Sequence, residues 1–132
     1  MTGKFVPSGE VEREELEWGT LGWLSRPPST GAQQLTVIDV DLLPGKGHDF
    51  HKHPDQEEVI FVVNGEIEQW LETRKQTLKP GDSVFIPKDM VHASFNISEG
   101  PAKLLAILGP CVGEGGYEMV EVADQAPWRG LR

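Results

Sequence analysis

The sequence predicts an all-β fold, a sandwich or barrel of short antiparallel strands, and three observations predict it. The 15 glycines and 10 prolines cut the 132 residues into short extended segments at regular intervals, the punctuation of an all-β chain. Several segments alternate with period two: Thr36, Ile38, Val40 and Leu42 share one face, while Val37, Asp39 and Asp41 share the other, as in a strand buried on one side. Only Glu10 to Glu17 offers a helix, rich in glutamate but with a weak apolar face.

Taken in order, strands are expected near Thr20 to Leu24, Gln34 to Leu42, Gly47 to His53, Glu58 to Val63, Glu66 to Glu72, Lys75 to Leu78, Ser83 to Ile86, Val91 to Asn96, Lys103 to Leu108 and Tyr117 to Val122. Residues 1–132 have the length of one domain. The expected layout is an N-terminal arm over about 1–17, a barrel core over about 20–110 and a C-terminal arm over about 122–132.

Charge narrows the partners. Twelve basic against 21 acidic residues give a formal net charge of -9, which repels a phosphate backbone and an anionic bilayer alike. Neither nucleic acid nor membrane is expected as a partner. No stretch approaches the ~20 apolar residues of a spanning helix, and the opening residues are too polar for a signal peptide. Cys111 is the only cysteine, so no intrachain disulfide can form. A cytoplasmic location is the expectation.

The chemistry concentrates in GKGHDFHKHPDQEEVIFVVNG, residues 45–65. On a helix, His51 and His53 would stand ~200° apart, whereas on a strand both point to one face. Pro54 disfavours helical geometry at His53, so a strand is expected. Residues 54–57 suit a hairpin loop, after which alternation carries Glu58, Ile60 and Val62 to a common face. Facing positions on paired strands lie ~5 Å apart at Cβ, close enough for two imidazoles and a carboxylate to share an ion. His92, which opens the strand after Pro87, would complete a set of three histidines and one carboxylate if its strand faced the hairpin across a barrel. Such a set suits one divalent transition ion, whether iron, manganese, nickel, zinc, cobalt or copper. An octahedral ion would keep open positions for a small-molecule substrate.

The spacing of Gly45, His51, His53, Glu58 and Gly65, followed by Gly81, Pro87, His92 and Asn96, resembles the two motifs of the cupin family. The resemblance covers Leu42 to Asn96. It implies an antiparallel double-stranded β-helix, or jelly roll, in which His51, His53, Glu58 and His92 are metal ligands and Gly65, Gly81 and Pro87 shape turns. One departure is Asp89, where the family usually has glycine; aspartate tolerates a left-handed backbone better than most residues. The family includes dioxygenases, isomerases, decarboxylases and storage proteins, and fold alone does not choose among them. A small-molecule enzyme, dioxygenase-like or else an isomerase or decarboxylase, is the leading expectation. The alternative is a non-catalytic ligand-binding or sensor barrel with a structural or vestigial metal site.

Other residues carry weaker signals. His48 is out of phase with His51 and His53 and is expected outside the ligand set. Gln69 shares a face with Ile67 and Leu71, so on an inward face it is a buried amide in need of a partner, from substrate or from the wall. Ser94 and Asn96 share the phase of His92, with Asn96 expected to brace the backbone. Cys111 is expected to pack as a small hydrophobe, and Arg26 to be exposed rather than to bind an anion at the barrel mouth. Alternation puts Trp70 on the outer face with Val59, Phe61 and Val63. An apolar patch of that size on a lone barrel predicts a homodimer.

Overall fold

The structure, a computed structural model, describes residues 2–132. Its strands are β1 (Glu12–Leu16), β2 (Gly19–Ser25), β3 (Thr36–Leu42), β4 (Gly47–Lys52), β5 (Glu57–Asn64), β6 (Ile67–Leu71), β7 (Arg74–Leu78), β8 (Ser83–Ile86), β9 (His92–Asn96), β10 (Ala102–Gly109) and β11 (Val120–Glu121). One sheet runs β1-β2-β3-β10-β5-β8 and the other β11-β4-β9-β6-β7, with antiparallel pairing throughout. This is the expected double-stranded β-helix. The alternation that announced β3 also decides its burial: Thr36, Ile38, Val40 and Leu42 are buried, and the residues between them are half-buried. With Ile60 and Val62 of β5 and Leu104, Ala106 and Leu108 of β10 they line the barrel. Burying each such side chain contributes roughly 1.5–3 kcal/mol.

The N-terminal segment departs from expectation. Ser8–Glu10 is a single 3-10 turn, and Glu12–Leu16 is a strand rather than part of a helix, paired with β2 from Glu12 opposite Trp23 to Leu16 opposite Gly19. A helix this short is marginal in water. The free edge of β2, in contrast, offers a row of backbone donors and acceptors that must be paired. Glutamates on a sheet edge keep their charges in water, so the pairing costs them little. At the other end, the strand expected over Tyr117 to Val122 contracts to Val120–Glu121.

The two outer faces are treated differently. Trp70 does not share a face with Val59, Phe61 and Val63, because β6 and β5 belong to different sheets. It is buried among Phe50, Ala93, Phe95 and Val122, with Trp128 and Leu131 packed against the cluster. The chain's own C-terminal segment thus covers that sheet. On the other sheet Val59, Phe61, Val63 and Phe85 remain 37–54% exposed.

Two turns fix the geometry near the centre. Gly65 has φ +79°, and a Cβ there would lie 2.8 Å from that of Ala102, so both conformation and space require glycine. Asp89 adopts φ +66° as its residue type allows. Its N–H donates to the carbonyl of His53 at 2.9 Å, tying this turn to the histidine strand. Asn96 braces the backbone as expected: its Nδ2 donates to the carbonyls of Leu42 and Gly100, and its Oδ1 accepts from the N–H of Ser98. Asn96→Ala leaves these buried groups without partners, at roughly 1–3 kcal/mol for each that stays unpaired. A loss of about 2–4 kcal/mol is expected in urea denaturation, and an unchanged midpoint would mean that the brace contributes nothing.

Candidate metal centre

His51 and His92 come from one sheet and Glu58 from the other, with His53 in the connection just past β4. β4 and β5 do not form the expected hairpin: β4 pairs with β9 and β11, β5 with β10 and β8, and residues 53–56 carry the chain between sheets. His51 therefore lies beside His92, its direct partner in the β4–β9 register. From across the barrel Glu58 reaches His92 and His53. This reverses the arrangement inferred from spacing, because a four-residue connection can cross between sheets as readily as it can turn within one.

A β-bulge decides which other residue joins them. His48 is opposite Ser94 and His51 opposite His92, so three steps on β4 match two on β9. The extra residue restores His48 to the inward face, correcting the expectation that it stands out of phase. Its ring stacks on His51 with centroids 3.6 Å apart and on Trp18 at 4.7 Å. Phe50, within the bulge, turns outward into the cluster over Trp70.

Backbone carbonyls orient the three predicted histidine ligands. His51 Nδ1 is 2.6 Å from the carbonyl of Asp49, His53 Nδ1 2.8 Å from that of Glu118, and His92 Nδ1 3.0 Å from that of Met90. A carbonyl only accepts, so each Nδ1 carries the proton and each Nε2 presents a lone pair. One ring nitrogen of each lies within 4.8 Å of the other two. Glu58 Oε1 is 2.9 Å from His92 Nε2 and 3.3 Å from His53 Nε2. Despite these distances neither approach has hydrogen-bond geometry, and all three atoms are buried without a partner. Lone pairs and a carboxylate held this close repel unless a cation lies among them. The donor set therefore fits a divalent metal.

The electrostatics agree. Burial would raise the Glu58 carboxyl, but His53 and His92 outweigh it and hold the group down to about 2. Burial pushes His92 down, yet the Glu58 carboxylate outweighs it and raises it. His51 falls well below its ordinary value through burial and then through the other histidines. Burial lowers His48 to about 3 against the attraction of Glu58.

Sequence reasoning missed the support behind His53. Gln56 is 2% exposed; its Nε2 donates to the carbonyls of Pro110 and Gly116, and its Oε1 accepts from the N–H of Glu118. This holds the loop whose Glu118 carbonyl orients His53, and Tyr117 packs 5.0 Å from the same ring. Loop residues have no periodicity to betray such a role. Gln69, expected to face inward, is buried there and partnered by the wall: its Oε1 accepts from Ser94 Oγ at 2.6 Å and its Nε2 donates to the Trp70 carbonyl. Cys111 Sγ lies 3.4 Å from Thr36 Oγ1, outside the cavity lining. Arg26 is not free for an anion, because it stacks on Trp23 and pairs with Glu12 at 2.7 Å. Beside Glu58 and His51 a cavity of about 40 Å³ is walled by Leu21, Ile38, Val40, Ile60, Leu104 and Ala106, with Ser94, His48 and Tyr117 on its rim.

Residues 38–108, which include all four converging side chains, match the family model described as the cupin domain. The chain belongs to the cupin family. Among curated relatives of this cupin, polyketide synthase CurC of Streptomyces cyaneus is 29% identical over 83% of this chain and 71% of its own length. The structure of KdgF from Halomonas sp. superposes with a TM-score of 0.73 at 22% identity, over 83% of this cupin and 94% of that chain. Lactobacillus farciminis oxalate decarboxylase gives 0.77 at 22% identity, over 88% of this cupin and 35% of that chain. At these identities the structural likenesses speak for the fold alone.

Acid should destabilise the metal-free cupin. Between the ordinary value of 6.5 and about 3 the unfolded chain binds a proton at His48 that the folded chain refuses, so stability falls as pH falls through that window. His51 acts in the same sense and the raised His92 in the opposite one. Glu58, depressed from 4.5, loses its contribution only at lower pH. From pH 7 to pH 5.5 the urea midpoint of chelator-treated protein should drop, and should drop less in His48→Phe. Equal drops in the two proteins would refute neutral burial of His48.

Proposed function

We propose that this cupin is a metal-dependent enzyme acting on a small molecule, with one divalent transition ion held by His51, His53, Glu58 and His92. The carrying observation is that the buried, partnerless Nε2 atoms of His53 and His92 lie 3.3 and 2.9 Å from Glu58 Oε1, with a ring nitrogen of His51 within 4.8 Å of those of the other two histidines. Three nitrogens and one carboxylate oxygen suit iron, manganese, nickel, cobalt, copper or zinc. Such an ion supplies a Lewis-acidic centre with open positions for oxygen ligands. The protein's part is to orient and to exclude water. Carbonyl-held imidazoles present their lone pairs without rearrangement, Glu58 cuts the net charge of the centre to about +1, and the apolar wall strengthens every charge interaction inside.

A cavity of about 40 Å³ admits a reacting group of a few atoms and leaves the rest of a substrate outside. The name of its curated relative, a polyketide synthase, supports a substrate with carbonyl or enol oxygens. Dioxygenase-like oxidation leads, with isomerisation and decarboxylation as the other reactions such a centre serves. The lone cysteine accords with a cytoplasmic setting, and among the described residues no helix is long and apolar enough to cross a membrane.

Elemental analysis of untagged protein purified without chelator tests the centre. Near-stoichiometric metal is expected in the parent and none in His51→Ala, which should keep its β circular dichroism because the core is set by alternating apolar strands. Oxygen consumption with candidate substrates then separates oxidation from the other reactions. Absence of metal from both proteins, with no uptake on reconstitution, would favour a non-catalytic ligand-binding barrel.

The exposed Val59, Phe61, Val63 and Phe85 support a homodimer through that sheet face, since a flat apolar face can cover a second copy of itself. Light scattering at micromolar concentration should give twice the chain mass, and Phe61→Glu should give a monomer. A monomeric parent protein would rule the dimer out.

A further inference from the structure

The barrel is left unclosed along one side. β7 pairs only with β6 and β8 only with β5, so free edges of the two sheets flank a slot that the turn over residues 79–82 closes at one end. That turn is fixed: the Gly81 N–H donates to the Val62 carbonyl and the Val62 N–H to the Asp82 carbonyl, both at 2.9 Å. The slot holds a hollow of about 520 Å³, within the roughly 300–1,000 Å³ of small-molecule sites. Among the described residues none lines both this hollow and the cavity beside Glu58.

Strand register decides what lines the slot. Ile67, Gln69 and Leu71 of β6 stand opposite Leu78, Gln76 and Arg74 of β7 on one side, and opposite Asn96, Ser94 and His92 of β9 on the other. Directly opposed residues share a face, so Arg74 belongs to the inner face. It lies two strand spacings, roughly 10 Å, beyond His92. The inner positions of β3 and β10 are buried, whereas Arg74 and Gln76 are exposed because no strand covers them. Gln69 lines this hollow and Ser94 the metal cavity, so their 2.6 Å hydrogen bond stands between the two.

The slot is graded from apolar to charged. Near the closing turn lie Leu78 and Val84, and Leu71 continues the apolar floor toward Arg74; Leu71 and Val84 pack on the core. Arg74 has no carboxylate within pairing distance among the described residues, whereas Arg13, Arg26 and Arg132 each have one. The neighbouring Lys75 is engaged on the outer face, 5.4 Å from the Trp70 ring centroid and 3.8 Å from a Glu68 oxygen. One guanidinium without a counter-ion suits one carboxylate, which it can hold through two parallel N–H donors. A dianion finds no second free cation in the lining. The floor suits a hydrocarbon body, each buried CH₂ of which adds to affinity.

We propose that the slot between β7 and β8 is a second binding site, separate from the metal centre, for a monocarboxylate with a short aliphatic body. The carboxylate pairs with Arg74 at the open end, and the hydrocarbon lies over Leu71, Leu78 and Val84. The site stands whether or not the centre holds a metal.

The probe is hexanoate, titrated into the whole protein both after metal reconstitution and after chelator treatment. Affinity is read by calorimetry and position by the backbone ¹H–¹⁵N shifts of Arg74, Gln76 and Val84. Equal affinity in the two preparations is expected, with the largest shifts in the slot. Arg74→Gln should weaken hexanoate by about tenfold or more, the scale of one lost charge-assisted hydrogen bond, while Lys75→Gln, on the outer face, should leave it unchanged. Acetate, which keeps the carboxylate but lacks the body, should bind more weakly than hexanoate. No binding at millimolar hexanoate, an unchanged affinity in Arg74→Gln, an equal loss in Lys75→Gln, or binding to the metal-loaded protein alone would overturn the proposal.

Discussion

Three buried imidazoles with their Nε2 atoms turned inward are held beside a buried carboxylate, and much of this structure exists to make that arrangement tolerable. Left alone, the four groups would repel, and burying them would cost several kcal/mol. The fold answers with a carbonyl behind each histidine, so that no ring can turn its protonated nitrogen inward. It also answers with an apolar barrel large enough to offset the burial. A cation then turns the repulsion into attraction, which is why the same geometry that is unfavourable when empty of charge is favourable around a metal.

The two sheets divide this labour. The sheet containing β4 and β9 supplies His51 and His92, side by side in register, with His53 just past the end of β4, and is backed by Phe50, Trp70 and the C-terminal segment. The sheet containing β5 and β10 supplies Glu58 and most of the apolar lining. Since the converging side chains come from both, the distance between sheets sets the distance from carboxylate to imidazole, and the close-packed core resists any change in it. Gln56 does the same work locally by pinning the loop that carries the Glu118 carbonyl. The centre is therefore as rigid as the core.

Much of this was legible beforehand because strand periodicity is a local property. The inward set Thr36, Ile38, Val40 and Leu42 follows from alternation, and the pairing of His51 with His53 on one face follows from their spacing and from Pro54. Asp89 in a left-handed turn follows from its place in the motif. What failed had a common cause. The helix expected over Glu10 to Glu17 lost to the open edge of β2, whose paired residues lie 3 to 11 positions away. The Trp70 patch was assigned to the wrong surface because periodicity gives the phase of a strand and not its sheet.

Sequence by itself thus determined most of the strands and their buried faces, since each depends on neighbours a few residues apart, and the motif spacing picked out the three histidines and the glutamate that come near one another. Tertiary structure alone decided that Glu58 faces the histidines from the opposite sheet, that the bulge returns His48 to the interior and that Gln56 anchors the loop behind His53. It also decided that the C-terminal segment, rather than a second molecule, covers Trp70. Each of these depends on which strands and loops are brought side by side, and that is set by the cooperative packing of the whole barrel, which no local pattern encodes.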